Sequence, residues 1–504
     1  MVIKIILLVL FFAITVAIGF YCRKKSANVN QFVLGGRSIG PWMSAFAYGT
    51  SYFSAVIFVG YAGQFGWKFG LSTTWVGIGN ALIGSLAAWL LLGRRTRIMT
   101  QHLGSITMPD FFEKRYDSKN LKLAASAIIF IFMIPYTASL YNGLSRIFGM
   151  AFNIDYSVCI IVMAVLTAVY VIAGGYFATA FNDFVQGIIM LGGIVLIIIF
   201  VLNGHGGFSQ AVSDLSKVPD ASGNTGSFTS LFGPDLKALI GVVLLTSLGT
   251  WGLPQMVHKF YAIKSDSAIK QGTVISTVFA LIIAGGCYFL GGFGRIFDSS
   301  SFVSESGVLY DAIIPSVLSK MPDILIGIAV VLVLSASMST LSSLVLTSSS
   351  TLTLDFIKGT VIKDMNEKKQ MKTIRFLLAF FIVVSVVLAL IQYKSKVNFI
   401  AQLMGISWGA LAGSFLGPFI FGLYWKRTTK ESVWISFLAA VAVTVTNTFI
   451  VKLFETPIIA GVAAMLLSLV LVPVVSLITK KPDSRLVDSI FCCYTKKTIT
   501  KAAD

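Results

Sequence analysis

The stretch SASMSTLSSLVLTSSS, Ser335 to Ser350, carries ten hydroxyl side chains in sixteen residues. On a helix, Ser335, Ser339, Ser342 and Ser343 fall at i, i+4, i+7 and i+8 and share one face. Two chemistries suit such a face. A hydroxyl in a helix can bond the carbonyl one turn earlier, or glue two helices together. A dense one-sided row also offers several uncharged oxygens to a hard cation such as Na+ without burying much net charge. Asp183, in GGYFATAFNDFVQGIIMLGG, is the second candidate. A carboxylate buried in an apolar stretch without a partner costs several kcal/mol, so its presence there points to a site. An acid at a helix N-terminus near an interface, favoured by the helix dipole, is the other reading. The third candidates are two interrupted apolar runs. AYGTSYFSA crowds Gly49, Thr50 and Ser51, and LTSLGTWGLP holds Gly249, Gly252 and Pro254. Paired interruptions in corresponding halves of a membrane chain point to a transport site, and two kinked packing helices would produce the same pattern.

The elements that must position these residues are membrane-spanning helices. The chain has 504 residues, 56% of them hydrophobic and only 12% charged. Runs of about 20 apolar residues, the length of one crossing, recur from end to end, roughly thirteen times. They cover 2–20, 41–65, 73–93, 120–150, 156–174, 180–202, 237–257, 272–294, 324–353, 373–392, 398–424, 432–451 and 457–479. A soluble chain of this length would instead show polar faces on its helices. The net charge of +18 does not point to nucleic acid. Its clusters, Arg23-Lys24-Lys25, Arg94-Arg95-Thr96-Arg97, Lys368-Lys369 and Lys480-Lys481, fall on one side if the N-terminus is outside, which is the positive-inside bias. The first basic cluster follows its apolar run, so segment 2–20 reads as an uncleaved anchor rather than a signal peptide.

Two outer segments, 203–236 and 295–323, are rich in Gly, Ser and Asp, and the second has an amphipathic piece around Val308 to Leu318. Cys22, Cys159, Cys287, Cys492 and Cys493 form no metal or disulfide framework, and Cys492-Cys493 in the basic tail is a reduced pair or an acylation site. His102, His205 and His258 fall in or beside loops without companions, so no metal site is expected beyond the sodium reading. No nucleophile–base or metal cluster suggests an enzyme.

FVLGGRSIGPW leading into TSYFSA, then AGGYFATAFNDFVQG, MSTLSS and FLGPFIFGLYWKR, resemble the sodium:solute symporter family over about residues 30–480. The resemblance implies an all-α polytopic membrane protein of the LeuT-type inverted-repeat fold with about 13 transmembrane helices, N-terminus out and C-terminus in. Residues 1–40 would be an extra helix and inner loop, 41–202 the first repeat of five helices and 203–236 an outer loop. The second repeat would be 237–424, followed by two further helices in 425–480 and a cytoplasmic tail, 481–504.

The resemblance also implies site residues. A sodium ion would be held by the carbonyls of Thr50, Phe53 and Ala336 and the side chains of Ser339 and Thr340. Some members hold a second sodium, at positions that here are Asp183, Ser342 and Ser343 with Ser339 shared. The substrate pocket would lie near Tyr52, Ser54, Ile57, Tyr136, Thr246, Thr250 and Trp251. In this pocket the chain departs from each known substrate class. Proline carriers have an aspartate at the position of Tyr52 and aromatics at Thr246 and Thr250. Sialic-acid carriers have an arginine at Tyr136, and sugar carriers a glutamine at Ile57.

The expected activity is sodium-coupled import of a small polar solute across the plasma membrane. An amino acid such as proline, or an organic acid, ranks ahead of a sugar or sialic acid. Proton coupling through Asp183 is the alternative within the fold, and a channel or sensor the alternative outside it. The expected partners are the solute, sodium ions and the bilayer, with no nucleic acid and no cofactor. The expected assembly is a monomer or weak oligomer. The run from Thr347 to Ser350 has no assigned role.

Overall fold

The computed structural model describes residues 2–23, 27–297, 300, 302–304, 307–358, 360–362, 364–394 and 400–494. Lys24 and Lys25 of the first basic cluster, positions 398 and 399 of the expected eleventh span, and residues 495–504 of the tail lie outside these. The described chain is almost wholly helical, apart from a short antiparallel pairing of Val303–Ser304 with Gly307–Val308. Among the described residues, ten helices are long and apolar enough to cross a membrane, and the bent pair Leu236–Gly252 and Pro254–Ala262 adds an eleventh. Two of the ten, Val56–His102 and Tyr156–Gly204, run for 47 and 49 residues. At 1.5 Å per residue either is far longer than one bilayer. Each contains a glycine in a conformation closed to other residues: Gly70 at φ 63° and ψ −140°, and Gly175 at φ 56° and ψ −152°. A chain turning at these two points divides each run into two shorter segments.

Large apolar side chains cover the outside. Leu90, Phe376, Leu438, Phe449, Leu477 and Ile478 are all exposed, as a hydrocarbon solvent requires. Burial then ranks the helices by depth. The apolar window of Asp323–Ile357 is 83% buried, against 22% for Val2–Tyr21 and 33% for Lys430–Ile450. The hydroxyl-rich helix is therefore central. The N-terminal helix is peripheral, packed on Tyr156–Gly204 and Asp323–Thr351.

Helix starts follow local chemistry. Ser118, Asp235, Ser265, Thr429 and Thr456 each accept a hydrogen bond from an amide of the first turn, and Pro41, Pro254 and Pro457 open their helices. The second broken helix breaks for a sequence reason. Leu253 precedes Pro254 and is driven to extended backbone, φ −76° and ψ 122°, and the two halves meet at 48°. Its second half continues to Ala262, beyond the expected end at 257. His258 and Lys259 therefore lie inside the protein rather than in a loop, and His258 packs edge-on against Tyr176 at 5.5 Å. Burial among the aromatic rings draws this segment in despite its charge.

The segment before the first broken helix is latched to the end of the second. The Arg37 guanidinium donates to Tyr261 O at 3.1 Å, to Thr100 Oγ1 and O at 3.2 and 3.3 Å, and to Ser105 O at 2.6 Å. Ile39 N donates to Ala262 O at 3.2 Å, and Lys264 N to Ile39 O at 3.1 Å.

In the segment between Ile296 and Asp323, where an amphipathic piece is expected around Val308 to Leu318, Tyr310–Ala312 and Ile313–Ser319 form short helices. Asp311 is buried there and accepts from Ile400 N at 3.5 Å. Burial pushes its carboxyl up to about 7, while Arg146 pulls it down. A folded-state value above the unfolded one means stability is greatest below the ordinary aspartate range, about pH 4, and is lost as pH rises toward 7. Melting temperatures measured from pH 5 to 8 should fall with rising pH, and the Asp311→Asn variant should flatten that slope. An unchanged slope in the variant would assign it to other groups.

Candidate functional site

The first broken helix comprises Pro41–Tyr52, a break, then Val56–Tyr61 and Ala62–Phe69. At the break Phe53 is extended, φ −103° and ψ 99°. A helix that ends here leaves its last carbonyls without intrahelical donors and presents the negative end of its dipole. Gly49 O still accepts Phe53 N at 3.1 Å. Thr50 O and Ser51 O face the hydroxyl of Thr340 at 3.4 and 3.3 Å, and the same hydroxyl reaches Ala336 O at 3.1 Å. Ser339 Oγ donates to Thr50 Oγ1 at 2.7 Å. On the far side of the break, Ala55 N donates to Ser337 Oγ at 3.3 Å. The hydroxyl helix therefore supplies what the break lacks. Thr50, Ala336, Ser339 and Thr340 gather at one point, with Phe53 at the break itself.

This cluster is fully buried, uncharged and made of oxygen, the donor set a hard monovalent cation takes. Ser51 O belongs to it and escapes a sequence reading, because only the course of the backbone aims that carbonyl at Thr340.

The rest of the hydroxyl row divides. Ser335, Ser349 and Ser350 donate to Val331 O, Val345 O and Leu346 O, each one turn back at 2.7, 2.7 and 2.6 Å. Ser348 donates to Met133 Sδ at 3.2 Å. These hydroxyls are satisfied within the helix or against a neighbour, which accounts for most of the run Thr347–Ser350 as packing.

Asp183 is buried and lies beside the same helix. Ser342 Oγ donates to Ser339 O at 2.9 Å, and Ser343 Oγ meets Ser51 Oγ at 2.9 Å. The residue that sequence reasoning misses is Lys259, whose Nζ lies 2.9 Å from Ser343 Oγ and 3.6 Å from Asp183 Oδ2. A signal for it exists. Pro254 suits the first position of a new helix, and Lys259 follows it closely enough to fall on that helix.

Of the substrate candidates, Tyr52, Tyr136 and Thr246 come together. The Tyr52 hydroxyl donates to Thr246 O, and the Tyr52 and Tyr136 rings flank Trp408 at 6.5 and 6.1 Å between centroids. Ser54 and Ile57 sit buried at and just after the break. Thr250 and Trp251 turn their donors to Gly84 O and Ile83 O, at 3.1 and 3.0 Å, and so hold the adjoining wall. Trp408, in GISWGAL, is an added member of this cluster. Its Nε1 is buried and has no hydrogen-bond partner of acceptable geometry among the described residues.

Two broken helices facing a central hydroxyl helix, with a cation-type oxygen cluster beside a cluster of aromatic rings, define a secondary transporter of the broken-helix class. The chain belongs to the sodium:solute symporter family, whose sequence pattern matches residues 32–440. It is 30% identical over 503 residues to a sodium/proline symporter of Staphylococcus aureus (strain JH9), with 95% of this chain and 93% of that one covered. The solved structure of a Na+-coupled sialic acid symporter in a substrate-bound outward-open state superposes with a TM-score of 0.79 at 18% identity. That match covers 95% of this chain and 99% of the other. The fold is thus the LeuT-type one expected from the motifs, in a multi-pass membrane protein.

Proposed function

We propose that this protein is a secondary active symporter that imports a small polar organic solute together with sodium by alternating access. The observation that carries this reading is the convergence of Thr50 O, Ser51 O, Ala336 O, Ser339 Oγ and Thr340 Oγ1 at the break of the first broken helix. Sodium is a co-substrate here. Thr50, Phe53, Ala336, Ser339 and Thr340 hold it, and binding draws the broken helix onto the hydroxyl helix. The solute sits against Tyr52, Ser54, Ile57, Tyr136, Thr246 and Trp408, in a wall supported by Thr250 and Trp251. Rocking of one helix group against the other then opens both sites inward. The sodium gradient and the membrane potential drive the cycle, the latter by about 2.3 kcal/mol per charge per 100 mV.

An amino acid such as proline, or an organic acid, is the substrate class. The match to a sodium/proline symporter supports it, and the small aromatic-lined cluster suits it. In this reading the chain crosses the plasma membrane about thirteen times with its N-terminus outside. Repeats at 41–202 and 237–424 carry the site. It acts as a monomer or weak oligomer, performs no enzymatic step, and needs no cofactor beyond the coupling ion.

The test is melting of the purified protein in NaCl, KCl and choline chloride, then with a metabolite panel including proline. A ligand at 100 times its Kd stabilises the folded state by about 2.7 kcal/mol, so a selective sodium shift is expected. A further shift from one solute only in sodium would name the substrate. In proteoliposomes the same solute should accumulate with an inward sodium gradient. Equal uptake in choline would end the sodium-coupled reading.

A further inference from the structure

Lys259 and Asp183 form a charge pair in the centre of the protein, with side chains only 2% and 1% exposed. The pair lies beside Ser343, and Asp183 and Ser343 are both among the residues expected at a second sodium site. Asp183 comes from Tyr156–Gly204, Ser343 from the hydroxyl helix, and Lys259 from the second half of the second broken helix. The ammonium donates to Ser343 Oγ at 2.9 Å, and Ser343 Oγ meets Ser51 Oγ at 2.9 Å. The ammonium also lies over the Tyr176 ring at 5.3 Å from the centroid. The carboxylate oxygens of Asp183 have no hydrogen-bond partner of acceptable geometry among the described residues. A buried carboxylate in that condition needs a cation close by, and Lys259 Nζ at 3.6 Å meets the need. The crevice bordered by Lys259, Ser343, Tyr176 and Gln255 is too tight for a water-sized sphere. No water fits on the Tyr176 and Gln255 side of the ammonium.

We propose that the Lys259 ammonium is the resident cation of the Asp183–Ser342–Ser343 pocket, so that one sodium ion, at the Thr50–Ser339–Thr340 site, moves per transport cycle. An ammonium and a sodium ion carry the same charge and both take hydroxyl and carboxylate oxygens. The difference is that the lysine stays. It neutralises Asp183 in every state and ties the second broken helix to the hydroxyl helix through Ser343, while adding nothing to the charge moved. This inference rests on the symporter reading above and deepens it.

Sodium binding to the purified full chain decides it, measured with radioactive sodium and by melting, in wild type, Lys259→Ala and the double variant Lys259→Met with Asp183→Asn. In wild type about one radioactive sodium ion should bind per chain at saturation, with a Hill coefficient that cannot exceed the number of sites. Lys259→Ala leaves Asp183 without its ammonium, and about two sodium ions should bind per chain, whatever the coupling between the sites. The double variant has no buried charge here and should return to about one bound ion. A merely structural lysine would lower stability without moving the stoichiometry.

Two bound sodium ions in wild type, or an unchanged single one in folded Lys259→Ala, overturn the assignment and leave the symporter reading standing. Sodium binding in Lys259→Ala with none in wild type upholds the lysine's role and removes the symporter reading. If Lys259→Ala does not fold, the charge moved per zwitterionic solute by wild type in proteoliposomes decides: about 1 supports the proposal and about 2 overturns it.

Discussion

Thr340→Ala and Ser339→Ala should each raise the sodium concentration for half-maximal uptake by about 10- to 100-fold. That corresponds to roughly 1.5–3 kcal/mol for one oxygen facing a charge. The solute requirement at saturating sodium should move by about twofold or less, since each hydroxyl touches the broken helix rather than the aromatic cluster. Thr340 is the more telling position, because its one hydroxyl meets carbonyls from both helices: Thr50 O, Ser51 O and Ala336 O. Thr340→Ser keeps that oxygen and should stay near wild type. The internal control is Ser349→Ala, whose hydroxyl bonds Val345 O in its own helix and whose loss should leave the sodium requirement unchanged. Uptake as a function of sodium and of solute, measured separately, gives both numbers. Equal changes in the two would mean that the hydroxyls only pack.

Gly66→Val should abolish transport and sharply lower the melting temperature. Gly66 lies on the outer half of the first broken helix and crosses Gly291 of Asp266–Gly292 backbone to backbone. A Cβ at Gly66 would overlap the carbonyl oxygen of Gly291, and one at Gly291 would overlap that of Ala62. No rotamer relieves a clash between two main chains, so the helices must separate. Overpacking of this kind costs about 1–3 kcal/mol or more. Separation would also shift the break and with it the carbonyls of Thr50 and Ser51, so activity should fail even in variants that remain folded. The contrast is Gly192→Ala. That position faces outward with nothing near its added methyl, and the change should be neutral or stabilising by about 0.5–1 kcal/mol. A Gly66→Val protein with wild-type melting and uptake would show that the outer half of the broken helix is free of this contact.

Much of this protein is legible along the chain because it depends on neighbours in sequence. Crossing a membrane needs about 20 apolar residues in a row, and the hydropathy of Ile3 through Ile478 displays such runs directly. The break before Pro254 follows from the steric rule for the residue preceding proline, and the motifs around Thr50 and Ser339 carry the family. The tertiary structure alone decides which oxygens face one another. Ser339 and Ser349 have the same side chain on the same helix. One bonds Thr50 of another helix, and the other bonds its own backbone.

Lys259 marks the same boundary most clearly. Along the chain it is a charge after an apolar run, the usual mark of a segment leaving the membrane. In the fold, Asp183 stands 3.6 Å away, and burial of one charge becomes tolerable only because the other is there. Pairing between residues far apart in sequence is a property of packing, and no period or composition encodes it.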